Sequence, residues 1–137
     1  MKTFMIILLG AIVSVSALAN EACDEKLANE SFPAVVKVNT VSELQIFYSK
    51  FKRCISRADL GEGYSEAVSR VLANHWSQVV HSKKLKDGRL VQAIKLGVSE
   101  TWELNTSKKI IQFAKTRCTE LAKPICDEIL ILEKNPK

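Results

Sequence analysis

The chain has 137 residues, with 20 basic against 15 acidic side chains and a hydrophobic fraction of 47%. That is enough apolar material for one buried core, and five Gly, three Pro and the absence of repeats exclude a disordered or solenoid chain. The mild positive balance falls far short of a nucleic-acid-binding composition.

The chain opens with Lys2, an apolar run from Phe4 to Val15, and Ala17-Leu18-Ala19 as a small-x-small cleavage site. This is the pattern of a secretory signal peptide over 1–19, too short for a membrane span. Cleavage leaves a single domain over 20–137, with 19 basic and 15 acidic residues and a net charge of +4. No later stretch approaches the ~18 apolar residues that a span requires. All four cysteines follow the cut, so the expected product is soluble, secreted or periplasmic, and able to oxidise its thiols.

A short helix over about 20–30 carries Cys23, with Phe32-Pro33 expected to end it. Ala34 to Val38 reads as extended, and the one comparable run that it could pair with is Ile129 to Leu132. Thr40 with Glu43 is a capping box that opens a helix over about 41–58, with Leu44, Phe47, Phe51, Cys54, Ile55 and Ala58 on one face. Gly61 and Gly63 are expected to break the chain before a second helix over about 64–82. Its stripe is Tyr64, Val68, Val71, Leu72, His75, Trp76 and Val79.

Ser82 to Gly88 is polar and reads as a loop, with Asp87 capping a helix over about 88–104. Leu90, Val91, Ile94, Val98, Thr101 and Trp102 share its face, and Gly97 in the same arc marks a close helix–helix approach. Asn105 or Thr106 caps a helix over about 106–122, with Ile110, Ile111, Ala114, Cys118 and Leu121 inward. Pro124 suits the first turn of a short last helix running to about Glu133. The expected fold is all-α: a small antiparallel bundle of four to five helices, stapled by two disulfides.

Four cysteines allow three pairings. Cys118–Cys126 with Cys23–Cys54 would clamp the corner at Pro124 and tie the N-terminal segment to the bundle. Cys54–Cys118 with Cys23–Cys126 would staple two helices and join the chain ends. Neither histidine stands at ligand spacing to a cysteine, and C-x-x-C is absent, so no metal, haem or other cofactor is expected.

The candidate functional residues are few. His75 lies beside Trp76 on an apolar stripe, where a buried, backbone-bonded core histidine is the plainer reading and a ligand contact or pH switch the functional one. His81 falls on the opposite face. Lys83, Lys84, Lys86 and Arg89 form the densest charge cluster, either a solvated loop or a docking element for an acidic cleft. Lys50, Arg53 and Arg57 make a second basic face, while Phe113 and Leu96 lie outside their apolar arcs. Asn29 and Asn105 begin N-glycosylation sequons, relevant in a eukaryotic source. No nucleophile elbow, zincin, P-loop or dinucleotide motif occurs, and paired cysteines offer no free thiol, so an enzyme is not expected.

Two resemblances frame the function. A leader ending at Ala19, a helical pattern, and helix-borne Cys54 and Cys118 make the chain similar in architecture to helical periplasmic immunity proteins, which neutralise cell-wall-degrading effectors. No residue motif of that family can be laid over it, so no site is carried over. The resemblance implies a non-catalytic protein that binds another protein, as an inhibitor or immunity-type factor. The alternative resembles insect odorant-binding proteins, which are also helical and disulfide-stapled, although their six-cysteine spacing is absent. It implies a carrier of a small hydrophobic ligand, with His75, Trp76 and Trp102 as pocket liners.

Overall fold

The computed structural model describes residues 22–135, so the expected signal peptide lies outside the described residues. Six α-helices follow in order: α1 Glu25–Val35, α2 Val41–Phe51, α3 Ala58–Val80, α4 Arg89–Gly97, α5 Leu104–Thr116 and α6 Lys123–Lys134. Short 3-10 turns occupy Lys52–Cys54, Lys83–Asp87 and Glu120–Ala122. The described residues contain no strand; Ile129 to Leu132 lie in α6, and Ala34 and Val35 end α1. The extended reading of Ala34 to Val38 is therefore corrected, and the two runs do not pair as strands among the described residues.

Asp24 starts α1, its carboxylate accepting from the Leu27 N–H at 2.7 Å. Pro33 does not stop this helix, contrary to expectation. Proline forfeits the bond to the carbonyl four residues back and crowds that carbonyl, which belongs to the exposed Asn29, within reach of water. Continuing the helix buries Ala28, Ser31 and Val35 along one face. Arg70 of α3 then reaches the end of α1, donating from Nη2 to the Val35 and Val38 carbonyls, each at 3.2 Å.

The capping box of α2 forms as read. The Glu43 N–H donates to Thr40 Oγ1, and Glu43 Oε2 accepts from the Asn39 and Thr40 N–H groups. Those backbone donors hold the Glu43 carboxyl below its usual value near 4.5. Leu44, Phe47 and Phe51 point inward, and the helix tightens into the 3-10 turn that places Cys54 in the core.

Gly61 and Gly63 lie inside α3, which starts six residues earlier than expected. They relieve crowding: a Cβ on Gly61 would stand 2.9 Å from the Ile55 carbonyl oxygen, and one on Gly63 3.1 Å from Val35 Cγ1. The helix is the hub of the fold, touching α1, α2, α4 and α5. Leu60, Tyr64, Val68, Val71, Leu72 and Val79 are fully buried along it. It bends at His75 (φ −130°, ψ 30°), and His75 is only partly buried, which corrects its reading as a core residue.

Gly97 meets α3 as its place in the arc implied. A Cβ there would press into Cγ2 of Val68 and lie 2.7 Å from its Cβ. Four bonds fasten this crossing: Tyr64 Oη to the Ala93 carbonyl at 2.5 Å, Ser65 Oγ to the Gly97 carbonyl at 2.8 Å, and Trp102 Nε1 to both the Ser65 carbonyl at 3.0 Å and Ser65 Oγ at 2.9 Å. Burial, with Tyr48 beside it, raises the Tyr64 phenol and keeps it a donor. The crossing also ends α4 at Gly97 rather than near residue 104, because Trp102 must fold back onto Ser65.

Glu103, not Asn105 or Thr106, caps α5, accepting from the Asn105 N–H at 3.0 Å and the Thr106 N–H at 2.8 Å. The helix stops at Thr116, so Cys118 is exposed and Leu121 is 44% exposed, although both were expected on the inner face. The Trp76 indole N–H donates to the Arg117 carbonyl and Thr119 Oγ1 to the Val80 carbonyl, which turns the chain there. Phe113 packs on Trp76, with ring centroids 5.6 Å apart. Pro124 sits in the first turn of α6. The disulfides are Cys23–Cys54 and Cys118–Cys126.

Candidate functional site

The basic segment after α3 is ordered by its own backbone. Ser82 Oγ accepts from the Lys84 N–H at 3.3 Å, Leu85 is buried, and Gly88 takes φ 76° to release the chain into α4. In a 3-10 turn anchored by one apolar residue, the neighbouring side chains face water. Lys83, Lys84, Lys86 and Arg89 are all exposed. Asp87 stays beside them, accepting from the Arg89 N–H at 3.0 Å and lying 3.9 Å from the Arg89 guanidinium.

Between this turn, α4 and the outer face of α2 runs an open groove of about 850 Å3. Lys84 and Arg89 border it on one side and Lys50 and Lys52 on the other; Ile46, Gln45 and Tyr48 line it between them. The two basic faces of the sequence thus meet in part. Lys83 and Lys86 belong to the same turn but do not line the groove, and neither do Arg53 and Arg57. Asp87 is the one acid against four cations in the lining. Lys50 is engaged, 3.1 Å from Glu30 and over the Phe51 ring, whereas the Lys52 and Lys84 ammonium groups have no ion pair among the described residues.

Ile46 and Lys52 escaped the sequence reading. Ile46 is 66% exposed, off the buried Leu44–Phe47–Phe51 stripe of α2, and Lys52 lies in the 3-10 turn that replaces the expected last turn of the helix. An apolar residue off the stripe of an otherwise well-phased helix was the available signal.

The residues proposed as pocket liners are dispersed. Trp76 borders a 400 Å3 depression with His81, Arg117 and Thr119, and Trp102 borders a 610 Å3 groove with Leu104, Ile111 and Leu132. His75 lines neither, and both indole N–H groups are spent on internal carbonyls. No group of three or more His, Cys, Asp or Glu among the described residues is placed to hold a metal ion. No described helix is long and apolar enough to cross a membrane, and the two disulfides are compatible with an oxidising location.

No protein-family model matches this chain, and neither the curated proteins nor the solved structures include one significantly similar to it.

Proposed function

We propose that this protein is a non-catalytic binding factor of the periplasm or extracellular space, an inhibitor or immunity-type protein that captures an acidic partner. The convergence of Lys84 and Arg89 with Lys50 and Lys52 around one groove carries this reading. Like charges brought together on a helical bundle tied by two disulfides form a surface that needs little ordering on binding. Their field also speeds encounter with an acidic partner, in a salt-dependent way. Lys83 and Lys86 extend the field at the groove's edge.

The test is capture from native envelope extract or secreted medium by the mature chain, compared with the triple charge reversal Lys83→Glu, Lys84→Glu, Lys86→Glu. A stoichiometric partner retained by the wild type and lost by the variant is expected. Absence of any stoichiometric protein with the wild type would refute the proposal. The carrier alternative has one observation in its favour, the groove where Trp102, Leu104, Ile111 and Leu132 come together. Native mass spectrometry that finds an apolar molecule retained on the purified chain would favour that reading.

A further inference from the structure

Ile46 belongs to two concavities at once. It lines the basic groove, and it also lines a hollow of about 180 Å3 whose walls are Ala34, Val38, Phe47 and Phe51. The hollow is apolar apart from Lys37 and Glu43 at its lip. With 66% of its surface in water, Ile46 is among the most exposed large apolar residues of the described chain, on a helix whose other large apolar side chains, Leu44, Phe47 and Phe51, are buried. A seat with room for one side chain beside the Lys52 and Lys84 ammonium groups, which have no ion pair among the described residues, has the anatomy of a protein-binding hot spot, an apolar anchor flanked by charged contacts.

Resting on the binding-factor reading above, we infer that the partner's docking element is an acidic segment carrying one large apolar side chain. The anchor occupies the hollow against Ile46, Phe47 and Val38. The flanking carboxylates lie in the groove against Lys52, Lys84 and Arg89. Charge complementarity selects this occupant: a basic segment would meet four cations and one acid, and a purely apolar one would leave the Lys52 and Lys84 ammonium groups facing it unpaired. The two halves divide the work, because exposed charges set the association rate and its salt dependence while a seated apolar anchor sets dissociation.

The experiment is an NMR titration of the 15N-labelled mature chain with a short synthetic peptide, Asp- and Glu-rich around one central leucine. The same peptide with serine in place of leucine is run beside it. Amide shifts are expected to cluster at Gln45, Ile46, Lys52, Lys84 and Gln92, and to fade between about 50 mM and 300 mM salt as screening shortens the field. Replacing leucine by serine is expected to weaken binding roughly tenfold, the effect of losing one buried aliphatic side chain. The double variant Lys52→Glu, Lys84→Glu, checked for folding by circular dichroism, is expected to lose the shifts. Shifts clustered elsewhere, equal affinity for the two peptides, or undiminished binding to the double variant would each overturn the inference. Peptide binding at the groove without a captured partner would leave the site's chemistry standing and remove the inhibitor reading; the converse result would remove only the site.

Discussion

Gly97→Ala is the most incisive perturbation of this fold, because it adds one carbon at the tightest point between α3 and α4. The new Cβ would stand 2.7 Å from Val68 Cβ and closer still to Val68 Cγ2, a contact that only separation of the helices relieves. Overpacking of this kind costs about 1–3 kcal/mol. Separation also stretches the Ser65–Gly97 and Tyr64–Ala93 bonds, each contributing about 1 kcal/mol. Alanine's better helix propensity returns at most about 1 kcal/mol, and less at a helix's last residue. The net loss is about 3 kcal/mol, a fall in Tm of about 12 °C for a domain of this size. Thermal unfolding followed by circular dichroism measures it. Val68→Ala removes the crowded methyl groups, so adding it to Gly97→Ala is expected to cost at least about 0.5 kcal/mol less than the sum of the two single effects. A Tm for Gly97→Ala within a degree of wild type, or strict additivity with Val68→Ala, would show that this crossing is not under steric control.

Two further outcomes follow from the staples and the caps. Replacing Cys23 and Cys54 together by serine closes no loop over a separation of 31, and replacing Cys118 and Cys126 none over a separation of 8. The chain-entropy model assigns these losses about 3.5 and 2.5 kcal/mol, so denaturant midpoints should fall further for the first pair. The carboxyls of Glu43 and Glu103 are both held below their usual value near 4.5 by helix N-terminal N–H groups, those of Asn39 and of Asn105 foremost. Their contribution is complete above that value and disappears as pH falls through the lowered folded-state values. Stability should therefore decline below about pH 4.5, and Glu43→Ala with Glu103→Ala should flatten that decline while lowering Tm at neutral pH; an unchanged acid limb would show that other groups govern it.

The readable parts of the fold were those written within a few neighbouring residues. Thr40 and Glu43 announce the start of α2, and Pro124 the start of α6, because capping joins groups three or four residues apart. The inward faces of α2 and α3 were legible from spacing, as was the intimate role of Gly97. In the candidate site, Lys84 and Arg89 stood out as part of a charge run, but nothing local linked them to Lys50, Lys52 or Ile46, roughly forty residues earlier in the chain.

Packing decided the rest. Whether Pro33 ends α1 depends on what Val35 gains by burial and on the distant Arg70 donating to its carbonyl. Gly61 was free to break the chain until the Ile55 carbonyl needed its missing side chain. Trp102 left α4 because Ser65 lay within hydrogen-bonding reach across the crossing. Cap and stripe signals are encoded in single turns of backbone, whereas helix ends, the disulfide partners and the basic groove result from contacts between segments that only the assembled core brings together.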